Sequence, residues 1–386
     1  MTTAPIKPIN SKLPDEGTTI FTIMSKMALD HGAINLSQGF PDFDISAELI
    51  DLVHKFMQKG ANQYAPMQGV PAFREAISSK IKTCYDADLD PISEITVTAG
   101  ATEALYSAIT ALVEPGDEVI IFDPAYDLYH PAVLLNQGIP IHITLTAPDF
   151  AIDWSQVEDR ITNRTKLIVV NTPNNPAGVT LSPNDLDQLT KLVEKHGMYL
   201  LSDEAYEHII FDKTLHQSIL RYPALREQGI AISSFGKTFH ATGWKIGYLA
   251  ANKRLTEEIR KVHQFVTFSI NTPIQHALAA YLEQPDHYLQ LPDFYQSKRD
   301  YFLELMAGSR FKPLKCQGTY FQVMDYTGMS DLSDMEMAEW MTKTQGVAAI
   351  PFSVFYQHAP EQKLLRFCFA KKESTLEQAA EILCKI

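Results

Sequence analysis

The stretch Ala231-Ile-Ser-Ser-Phe-Gly-Lys-Thr-Phe-His-Ala-Thr-Gly-Trp-Lys-Ile-Gly-Tyr248 leads an apolar run directly into a glycine and a lysine. The run predicts a buried strand with Lys237 at its carboxyl end. A lysine shielded from water there has a lowered pKa and becomes a nucleophile toward carbonyl groups. Two other interpretations stay open, an ordinary surface lysine and a phosphate-binding loop on Gly236-Lys237-Thr238. The loop motif G-x-x-x-x-G-K-[ST] needs a glycine at position 231, which holds alanine.

Short apolar runs alternate with helical patterns through the middle of the chain. Each run is nearly continuous in apolar residues, as expected for strands that are covered on both faces. The alternation indicates an α/β fold with a mainly parallel, seven-stranded sheet flanked by helices, in which ligands bind at the carboxyl ends of the strands. The predicted strands are 95–98, 118–124, 139–145, 166–173, 198–203, 230–234 and 247–250.

The pattern changes after about residue 285, where strands and helices suggest a smaller α+β domain. Residues 1–45 are irregular and too polar to form a core by themselves. We therefore predict an N-terminal arm at 1–45 that contributes to the small domain and the substrate site. A large domain at 46–285 and a small domain at 286–386 would follow. The small domain has predicted helices at 292–306, 334–344 and 375–383 and predicted strands at 320–324, 347–350 and 364–369.

Composition and charge exclude several classes of protein. The chain of 386 residues has a formal net charge of −13, whereas a nucleic-acid surface needs clustered cations. No apolar run is long enough to cross a bilayer, and the first twenty residues lack the apolar segment of a secretory signal. The cysteines form no CxxC pair, so we expect reduced thiols in a cytoplasmic protein and no metal site. They are Cys84, Cys316, Cys368 and Cys384.

The polar residues at the predicted strand ends suit an aldehyde cofactor that carries a phosphate and a pyridine ring. Lys237 would form a Schiff base with pyridoxal 5′-phosphate, and Asp203 would pair with the protonated ring nitrogen that makes the cofactor an electron sink. A helix that begins at Gly100 offers free backbone amides to the phosphate, and Ser234 and Lys245 add a hydroxyl and a cation. Taken alone, each has a simpler interpretation: Asp203 as a helix N-cap, Ser234 as a turn residue and Lys245 as a solvated charge.

Four blocks of the sequence, in this order and spacing, resemble the class I aminotransferases of PLP fold type I. The resemblance covers essentially the whole chain. The first block is similar to the branch that contains methionine, kynurenine and glutamine (phenylpyruvate) aminotransferases, and most similar to its bacterial methionine aminotransferases. The blocks are Leu36-Ser-Gln-Gly-Phe-Pro-Asp-Phe43, Asn171-Thr-Pro-Asn-Asn-Pro-Ala-Gly178, Ser202-Asp-Glu-Ala-Tyr206 and Ser233-Ser-Phe-Gly-Lys-Thr-Phe-His-Ala-Thr-Gly-Trp-Lys-Ile-Gly247.

The resemblance implies roles for the matching residues. Lys237, Asp203 and Tyr206 would be the catalytic residues, with Lys237 moving the proton from the substrate Cα. Asn175 and Tyr206 would hydrogen-bond the phenolic oxygen of the cofactor. Tyr126 would stack on its ring, although a core tyrosine is an equally simple interpretation. The phosphate would be held by Gly100, Ala101, Thr102, Ser234 and Lys245, and by Tyr64 from the other subunit of a homodimer.

Arg366 lies between apolar residues in Leu364-Leu-Arg-Phe-Cys-Phe369, which predicts a strand. An arginine there needs an anionic partner, and its planar fork suits a carboxylate through two N–H groups. An intraprotein salt bridge would satisfy it. The resemblance instead implies that Arg366 binds the substrate α-carboxylate, with help from the backbone of Gly39 and the side chain of Asn175.

Two positions depart from the common pattern of the family. Lys245 stands where many class I members carry arginine, although the kynurenine and glutamine branch also has lysine at this position. A lysine would bind the phosphate as a point charge. His240 occupies a position that usually holds a small residue. We expect His240 to affect the cofactor pocket or the substrate preference.

The resemblance implies a transaminase that moves the amino group of an L-amino acid, of methionine or aromatic type, to a 2-oxo acid in two ping-pong halves. Two alternatives use the same cofactor, a kynurenine or glutamine transaminase and a β-lyase that acts on cysteine S-conjugates. A nucleotide-binding protein built on Gly236-Lys237-Thr238 is the alternative from another class.

Overall fold

The computed structural model describes residues 7–386, in which most predicted strands and helices are present with shifts of a few residues. The strands are β1 (Ile34–Asn35), β2 (Ile95–Thr98), β3 (Glu118–Asp123), β4 (Ile139–Thr144), β5 (Thr165–Asn171), β6 (Tyr199–Asp203), β7 (Gly229–Ser234), β8 (Gly247–Ala251), β9 (Lys312–Pro313), β10 (Phe321–Asp325), β11 (Val347–Ala348), β12 (Ile350–Pro351) and β13 (Leu364–Cys368). The helices are α1 (Ile20–Asp30), α2 (Ala47–Gln58), α3 (Pro71–Tyr85), α4 (Gly100–Leu112), α5 (Tyr129–Leu135), α6 (Trp154–Asp159), α7 (Pro183–His196), α8 (Pro223–Arg226), α9 (Phe235–Thr238), α10 (Lys253–Val266), α11 (Thr272–Tyr281), α12 (Asp286–Leu289), α13 (Leu291–Leu305), α14 (Asp334–Trp340) and α15 (Glu373–Leu383). None of these helices has the length and hydropathy that crossing a membrane requires.

The seven strands predicted for the middle of the chain form one sheet, in the order β2-β8-β7-β6-β5-β3-β4. Neighbouring strands are parallel except at β8, which is antiparallel to both β2 and β7. The prediction of an α/β fold with a mainly parallel, seven-stranded sheet flanked by helices is therefore confirmed.

Apolar side chains cover both faces of this sheet. On β3, Val119 and Ile121 belong to a core that includes apolar residues of α4 and α10. Ile120 and Phe122 belong to a second core. Because successive side chains of a strand point to opposite faces, a strand covered on both sides is apolar at nearly every position. This is why the strands were visible as continuous apolar runs.

The carboxyl ends of the parallel strands bring polar residues side by side at one edge of the sheet. Asn171 at the end of β5 is in register with Asp203 at the end of β6. Ser234, the last residue of β7, is in register with Gly247 at the start of β8. Because β8 runs in the opposite direction, the residues just before it, including Lys245, reach the same edge.

The remaining strands form two smaller sheets. One has the order β12-β13-β10-β9, and in the other β1 pairs in parallel with β11. The sequence predicts one strand over 347–350, whereas the chain there passes from β11 in one sheet to β12 in the other. The arm is also less irregular than predicted, because α1 buries Met24 and Ala28, which are four residues apart and share a helix face. The division into 1–45, 46–285 and 286–386 stays a prediction.

A buried ion pair joins α3 to the central sheet. Lys80 Nζ lies 2.8 Å from Glu207 Oε1, and both side chains are almost completely shielded from water. Glu207 also accepts hydrogen bonds from Tyr85 of α3, Ser233 of β7 and Tyr248 of β8. Burial by itself would raise the pKa of Glu207, but the charge of Lys80, the neighbouring His208 and the hydrogen bonds from Lys80 and Ser233 together outweigh it, and the pKa is lowered. The pair is therefore ionised in the folded protein.

Glu207→Leu is expected to lower the free energy of unfolding by about 3–5 kcal/mol, because Lys80 would keep a buried charge without a partner. The double variant Lys80→Met/Glu207→Leu removes both charges and should recover most of this loss. Urea unfolding of the parent and both variants, without cofactor, measures the difference. A single variant within about 1 kcal/mol of the parent would contradict this role of the pair.

Candidate active site

The predicted cofactor residues, with the exception of Tyr64, line one cleft at the carboxyl edge of the central sheet. The cleft therefore brings together residues from six separate segments of the chain. The predicted residues that line it are Gly100, Ala101, Thr102, Tyr126, Asn175, Asp203, Tyr206, Ser234, Lys237 and Lys245.

Lys237 lies on the short helix α9, directly after β7, and its amine is held inside the cleft. Its Nζ lies 3.0 Å from the hydroxyl of Tyr320 and 3.3 Å from the carbonyl oxygen of Gly39. The ring of Tyr206 and that of Tyr320 each have their centre 5.6 Å from Nζ. Burial is the main cause that lowers the pKa of Lys237 to about 8. A larger fraction of the amine is therefore unprotonated and nucleophilic near neutral pH than for an exposed lysine.

Asp203 is a buried carboxylate that has hydrogen bonds but no ion pair within residues 7–386. It accepts a hydrogen bond from the hydroxyl of Tyr129 at 2.7 Å and one from the backbone N–H of Ala205 at 3.1 Å. No lysine, arginine or histidine among residues 7–386 forms an ion pair with it, and burial raises its pKa to about 6. A turn follows it instead of an α-helix, so the N-cap interpretation finds no helix. A buried carboxylate of this kind suits a cationic ligand.

The start of α4 forms a cradle of backbone amides. Gly100 begins the helix with φ +74°, a conformation that favours glycine. A Cβ on Gly247 would lie 3.1 Å from the backbone nitrogen of Ala101, so a glycine there lets β8 approach the first turn. Lys245 Nζ lies 3.4 Å from Thr102 Oγ1 in the same cleft. Free amides at a helix N-terminus together with an ammonium group suit a dianionic phosphate.

Tyr126, Tyr206 and Asn175 line the same cleft as Asp203 and the cradle. The hydroxyl of Tyr126 lies 3.4 Å from Thr102 Oγ1, and burial raises its pKa to about 12. Tyr206 is buried, and its ring meets the ring of Tyr320 edge-on with 5.2 Å between centres. The backbone N–H of Asn175 donates to Asn171 Oδ1 at 2.8 Å. These contacts hold the two tyrosine side chains in place and fix the backbone at Asn175.

Arg366 is a buried guanidinium without a carboxylate partner among residues 7–386. Nη1 donates to Asn175 Oδ1 at 2.6 Å and Nη2 donates to the carbonyl of Ser37 at 3.1 Å, whereas Nε has no hydrogen-bond partner. The ring of Phe321 lies 3.8 Å from the guanidinium carbon, and burial lowers the pKa of Arg366 to about 10. The simpler interpretation, an intraprotein salt bridge, is not formed among residues 7–386, so the guanidinium has no internal carboxylate partner and its planar fork suits an external one.

Gly39 links the N-terminal arm to both Lys237 and the segment around Arg366. Its carbonyl oxygen accepts a hydrogen bond from the hydroxyl of Tyr320 at 2.6 Å and a second one from Lys237 Nζ at 3.3 Å. A Cβ at this position would lie 2.6 Å from the ring of Phe321. Only glycine therefore fits between the arm and the ring that packs on Arg366.

Tyr64 and His240 lie outside the cleft. Tyr64 is 84% exposed, and its ring packs edge-on against Phe268 with 5.5 Å between centres. His240 Nδ1 lies 2.7 Å from the hydroxyl of Tyr295, whose ring contacts that of Tyr320. The role of Tyr64 at a partner's phosphate and the effect of His240 on cofactor or substrate stay predictions.

Three residues that support the site were not predicted from the sequence. Tyr320 contacts Lys237, Tyr129 donates to Asp203, and Asn171 donates through its amide to the carbonyl of Asp203 at 2.9 Å. Asn171 begins one of the four recognised blocks, so the sequence could have indicated it, whereas Tyr129 is the first residue of α5 and no pattern pointed to it. Tyr320 is distant in sequence from every residue it contacts in the site and carried no signal.

The phosphate-binding-loop interpretation has no structural basis. Position 231, where the first glycine of that loop would lie, is inside β7 and pairs with Ser202 of β6 and with Ala250 of β8. A residue held by strands on both sides cannot begin a phosphate-binding loop.

Comparisons with known proteins assign the chain to a family. The family described as aminotransferase class I and II matches residues 31–383. The methionine aminotransferase of Escherichia coli (strain K12) is 52% identical over 384 residues, covering 99% of each chain. Kynurenine–oxoglutarate transaminase 1 of Homo sapiens is 34% identical, covering 93% of this chain and 94% of the relative. The crystal structure of an Escherichia coli protein with a methionine aminotransferase function matches with a TM-score of 0.97 at 52% identity, covering 99% of this chain and 100% of that one.

Members of this family depend on pyridoxal phosphate, and their substrates are amino acids and 2-oxo acids. The resemblance inferred from the four sequence blocks is confirmed by the family match, which extends over nearly the whole chain. The chain belongs to the class I and II aminotransferases and is a transaminase.

Proposed function

We propose that this transaminase binds pyridoxal 5′-phosphate in the cleft and transfers the amino group of an L-amino acid of methionine or aromatic type to a 2-oxo acid. When bound, the cofactor supplies an aldehyde that accepts the amine and a protonated ring that stabilises negative charge at the substrate Cα. The observation that carries the proposal is that a buried amine with a lowered pKa, Lys237, shares one cleft with a buried carboxylate, Asp203, that forms no ion pair with any described residue.

The cleft residues fit the polar groups of this cofactor. Asp203 would hold the ring nitrogen protonated, and Tyr129 and the Ala205 amide keep its carboxylate in place. Asn175 and Tyr206 would hydrogen-bond the phenolic oxygen, and Tyr126 would stack on the ring. The phosphate would be held by Gly100, Ala101, Thr102, Ser234 and Lys245.

Lys237 is the residue that would bind the aldehyde and then carry the proton away from the substrate Cα. Tyr320 donates its hydroxyl hydrogen to Gly39, so its oxygen remains an acceptor for the Lys237 amine. The Tyr320 hydroxyl and the Gly39 carbonyl therefore both accept from the free Lys237 amine and hold it inside the cleft. A base with a pKa near the working pH is the most effective in proton transfer.

The surroundings of Arg366 support the substrate class. Arg366 would bind the α-carboxylate, with Asn175 and the backbone of Gly39. The rings of Phe21 and Phe355 lie 5.3 and 5.1 Å from its guanidinium carbon and line an adjoining groove. An apolar groove beside the carboxylate site suits an unbranched apolar or aromatic side chain. The 52% identity to the Escherichia coli methionine aminotransferase supports the same class.

A homodimer is part of the proposal. Tyr64 and Phe265 are 84% and 85% exposed, and Phe268 beside Tyr64 is 48% exposed. Exposed apolar residues that cluster in this way mark a protein interface. Tyr64 would reach the phosphate bound by the partner. We also propose a cytoplasmic location, which is supported by four cysteines that form no disulfide.

A panel of amino donors against several 2-oxo acids tests the substrate class. Methionine and phenylalanine should be used with a kcat/KM at least about tenfold above that of aspartate, since an apolar groove leaves a second carboxylate unpaired. Preferred turnover of aspartate would contradict the proposed class. Kynurenine or glutamine as the best donor would favour the related transaminases. Pyruvate and ammonia formed from a cysteine S-conjugate without a 2-oxo acid would favour the β-lyase.

Asp203→Asn is expected to separate stability from activity. The buried carboxylate has a folded pKa of about 6, above the ordinary 3.8, so its charge destabilises the cofactor-free protein as the pH rises through that range. The neutral amide should therefore raise the free energy of unfolding without cofactor by about 2 kcal/mol at pH 8. Amine transfer should fall by at least about 10²-fold, because the ring nitrogen loses its counter-ion.

Thermal unfolding with and without cofactor, together with single-turnover kinetics, measures both effects of Asp203→Asn. Tyr129→Phe is the matched control, because it removes a hydrogen bond to the carboxylate and leaves the charge. Unchanged kinetics in Asp203→Asn would remove the proposed role at the ring nitrogen.

A further inference from the structure

His263 of α10 is a completely buried histidine whose two ring nitrogens both have partners. Nδ1 lies 2.9 Å from Glu103 Oε1, and Nε2 lies 3.0 Å from the carbonyl oxygen of Met67. The side chain of His263 is 0% exposed and that of Glu103 is 8% exposed. None of the roles assigned above to the cofactor or the substrate uses this histidine.

The hydrogen-bond pattern determines the charge of the ring. A backbone carbonyl only accepts, so Nε2 must carry a hydrogen. Glu103 accepts from Ser107 Oγ at 2.6 Å through Oε1 and from the backbone N–H of Ala99 at 3.1 Å through Oε2, as an ionised carboxylate does. Nδ1 must therefore donate as well. A histidine that donates from both nitrogens is an imidazolium.

This imidazolium connects two segments that each serve a phosphate site in the proposed function, the α4 turn in its own subunit and the Tyr64 loop in the partner subunit. Glu103 lies in the first turn of α4, and its bond to Ala99 fixes the residue just before the amide cradle. Met67 lies in the loop that carries Tyr64. Ser269 and Thr272 hold the same loop through the carbonyls of Ala65 and Gln63. Of these contacts, that of His263 is the one that extends to α4.

We propose that His263 is a positioning residue: as a buried imidazolium between Glu103 and the Met67 carbonyl, it ties the phosphate-binding turn of α4 to the loop that carries Tyr64. The inference rests on the proposed function, because it assumes that this turn binds the cofactor phosphate. His263 contacts neither cofactor nor substrate. It acts by holding the Ala99–Gly100 turn and the Tyr64 loop in one relative position.

The protonation of His263 sets the pH range in which this connection is complete. Burial by itself would lower the pKa of the ring, but the hydrogen bond and charge of Glu103 and the bond to Met67 outweigh it, and the pKa is raised. Arg260, on the same helix, opposes them. Because the folded pKa is above the ordinary value of 6.5, the stabilisation is complete below pH 6.5 and is lost as the pH rises through the raised pKa.

Cofactor release from His263→Gln tests the proposal. At pH 6.5 the variant should release pyridoxal 5′-phosphate about tenfold faster than the parent, as expected for the loss of a hydrogen bond from a charged group. The difference should shrink as the pH rises, because the parent then loses the same bond. Release is followed through the absorbance of the bound cofactor after dilution.

His287→Gln is the matched control. His287 also lies between a carbonyl and a carboxylate, with Nδ1 2.8 Å from the oxygen of Tyr281 and Nε2 3.5 Å from Glu48 Oε2, but it contacts no residue of α4. This variant should release cofactor at the rate of the parent. Equal rates for His263→Gln and His287→Gln, or a tenfold difference that does not change with pH, would overturn the positioning role.

Nuclear magnetic resonance of the cofactor-free parent with ¹⁵N-labelled histidine provides a readout independent of cofactor binding. One buried histidine should show two ring N–H signals at pH 6.5, and both should be absent from His263→Gln. A single ring N–H signal from His263 would overturn the imidazolium assignment. A parent protein that shows both signals but does not bind the cofactor would contradict the proposed function and leave the link between Glu103 and Met67 in place.

Discussion

Lys237→Ala is expected to slow amine transfer by at least about 10⁴-fold, because the variant loses both the nucleophile and the base that moves the Cα proton. The protein should still fold, since the side chain makes its contacts inside an open cleft. It should also still bind the cofactor, because the amide cradle, Lys245 and Asp203 remain. Single-turnover kinetics with a saturating amino donor measures the loss.

Two controls separate the chemistry of Lys237 from a general disturbance of the site. Lys371→Met removes another buried lysine, whose Nζ donates to the carbonyl of Phe40 at 2.9 Å and which does not line the cleft. It should change the rate by less than about tenfold. A small primary amine added to Lys237→Ala should restore part of the rate, because it supplies a free base. Normal turnover by Lys237→Ala would contradict the assignment.

Arg366→Lys is expected to lower kcat/KM for amino acids by about 10²–10³-fold, the usual effect of disturbing a buried, hydrogen-bonded charge pair. Lysine keeps the positive charge but lacks the planar fork, so it cannot donate two parallel hydrogen bonds to the α-carboxylate. In the parent, two different nitrogen atoms of Arg366 donate to Asn175 Oδ1 and to the carbonyl of Ser37, and lysine has a single nitrogen in their place. The loss should fall on the step that binds and orients the amino acid.

A substrate pair tests whether this loss comes from the carboxylate. The parent should prefer an amino acid strongly over the corresponding amine without its carboxylate, and Arg366→Lys should lose most of that preference. The rate with the amine should change by less than about tenfold, because the fork has no partner there. An equal loss for both substrates would show that Arg366 supports the fold of the cleft and does not bind the carboxylate.

The central sheet could be predicted from the sequence because burial on both faces imposes a local pattern. The run before Asp203 is apolar, so β6 and the position of Asp203 at its carboxyl end followed directly. Parallel strands then bring their ends together, which predicts that Asp203, Ser234 and Lys237 lie near one another. The roles of these residues came from the resemblance of whole blocks, since each residue alone has a simpler interpretation.

The contacts that could not be predicted join residues that are distant in sequence. Tyr320 donates to Gly39, 281 positions away, and Lys80 pairs with Glu207 across the interior. Neither contact follows from periodicity or from a motif, because it depends on how separate elements pack. The contacts of His263 with Glu103 and Met67 could not be predicted for the same reason. In the sequence, His263 is one more polar residue of an amphipathic helix. Its charge becomes evident only when both of its acceptors are located.

The central claim is that Lys237 is the covalent attachment point of the cofactor. Reduction of the purified, cofactor-loaded protein with borohydride, followed by proteolysis and mass spectrometry, tests it directly. We predict that one peptide carries the mass of the reduced cofactor and that fragmentation places it on Lys237. A protein that remains colourless with added cofactor, or a label on Lys245 or on any other lysine, would contradict the claim.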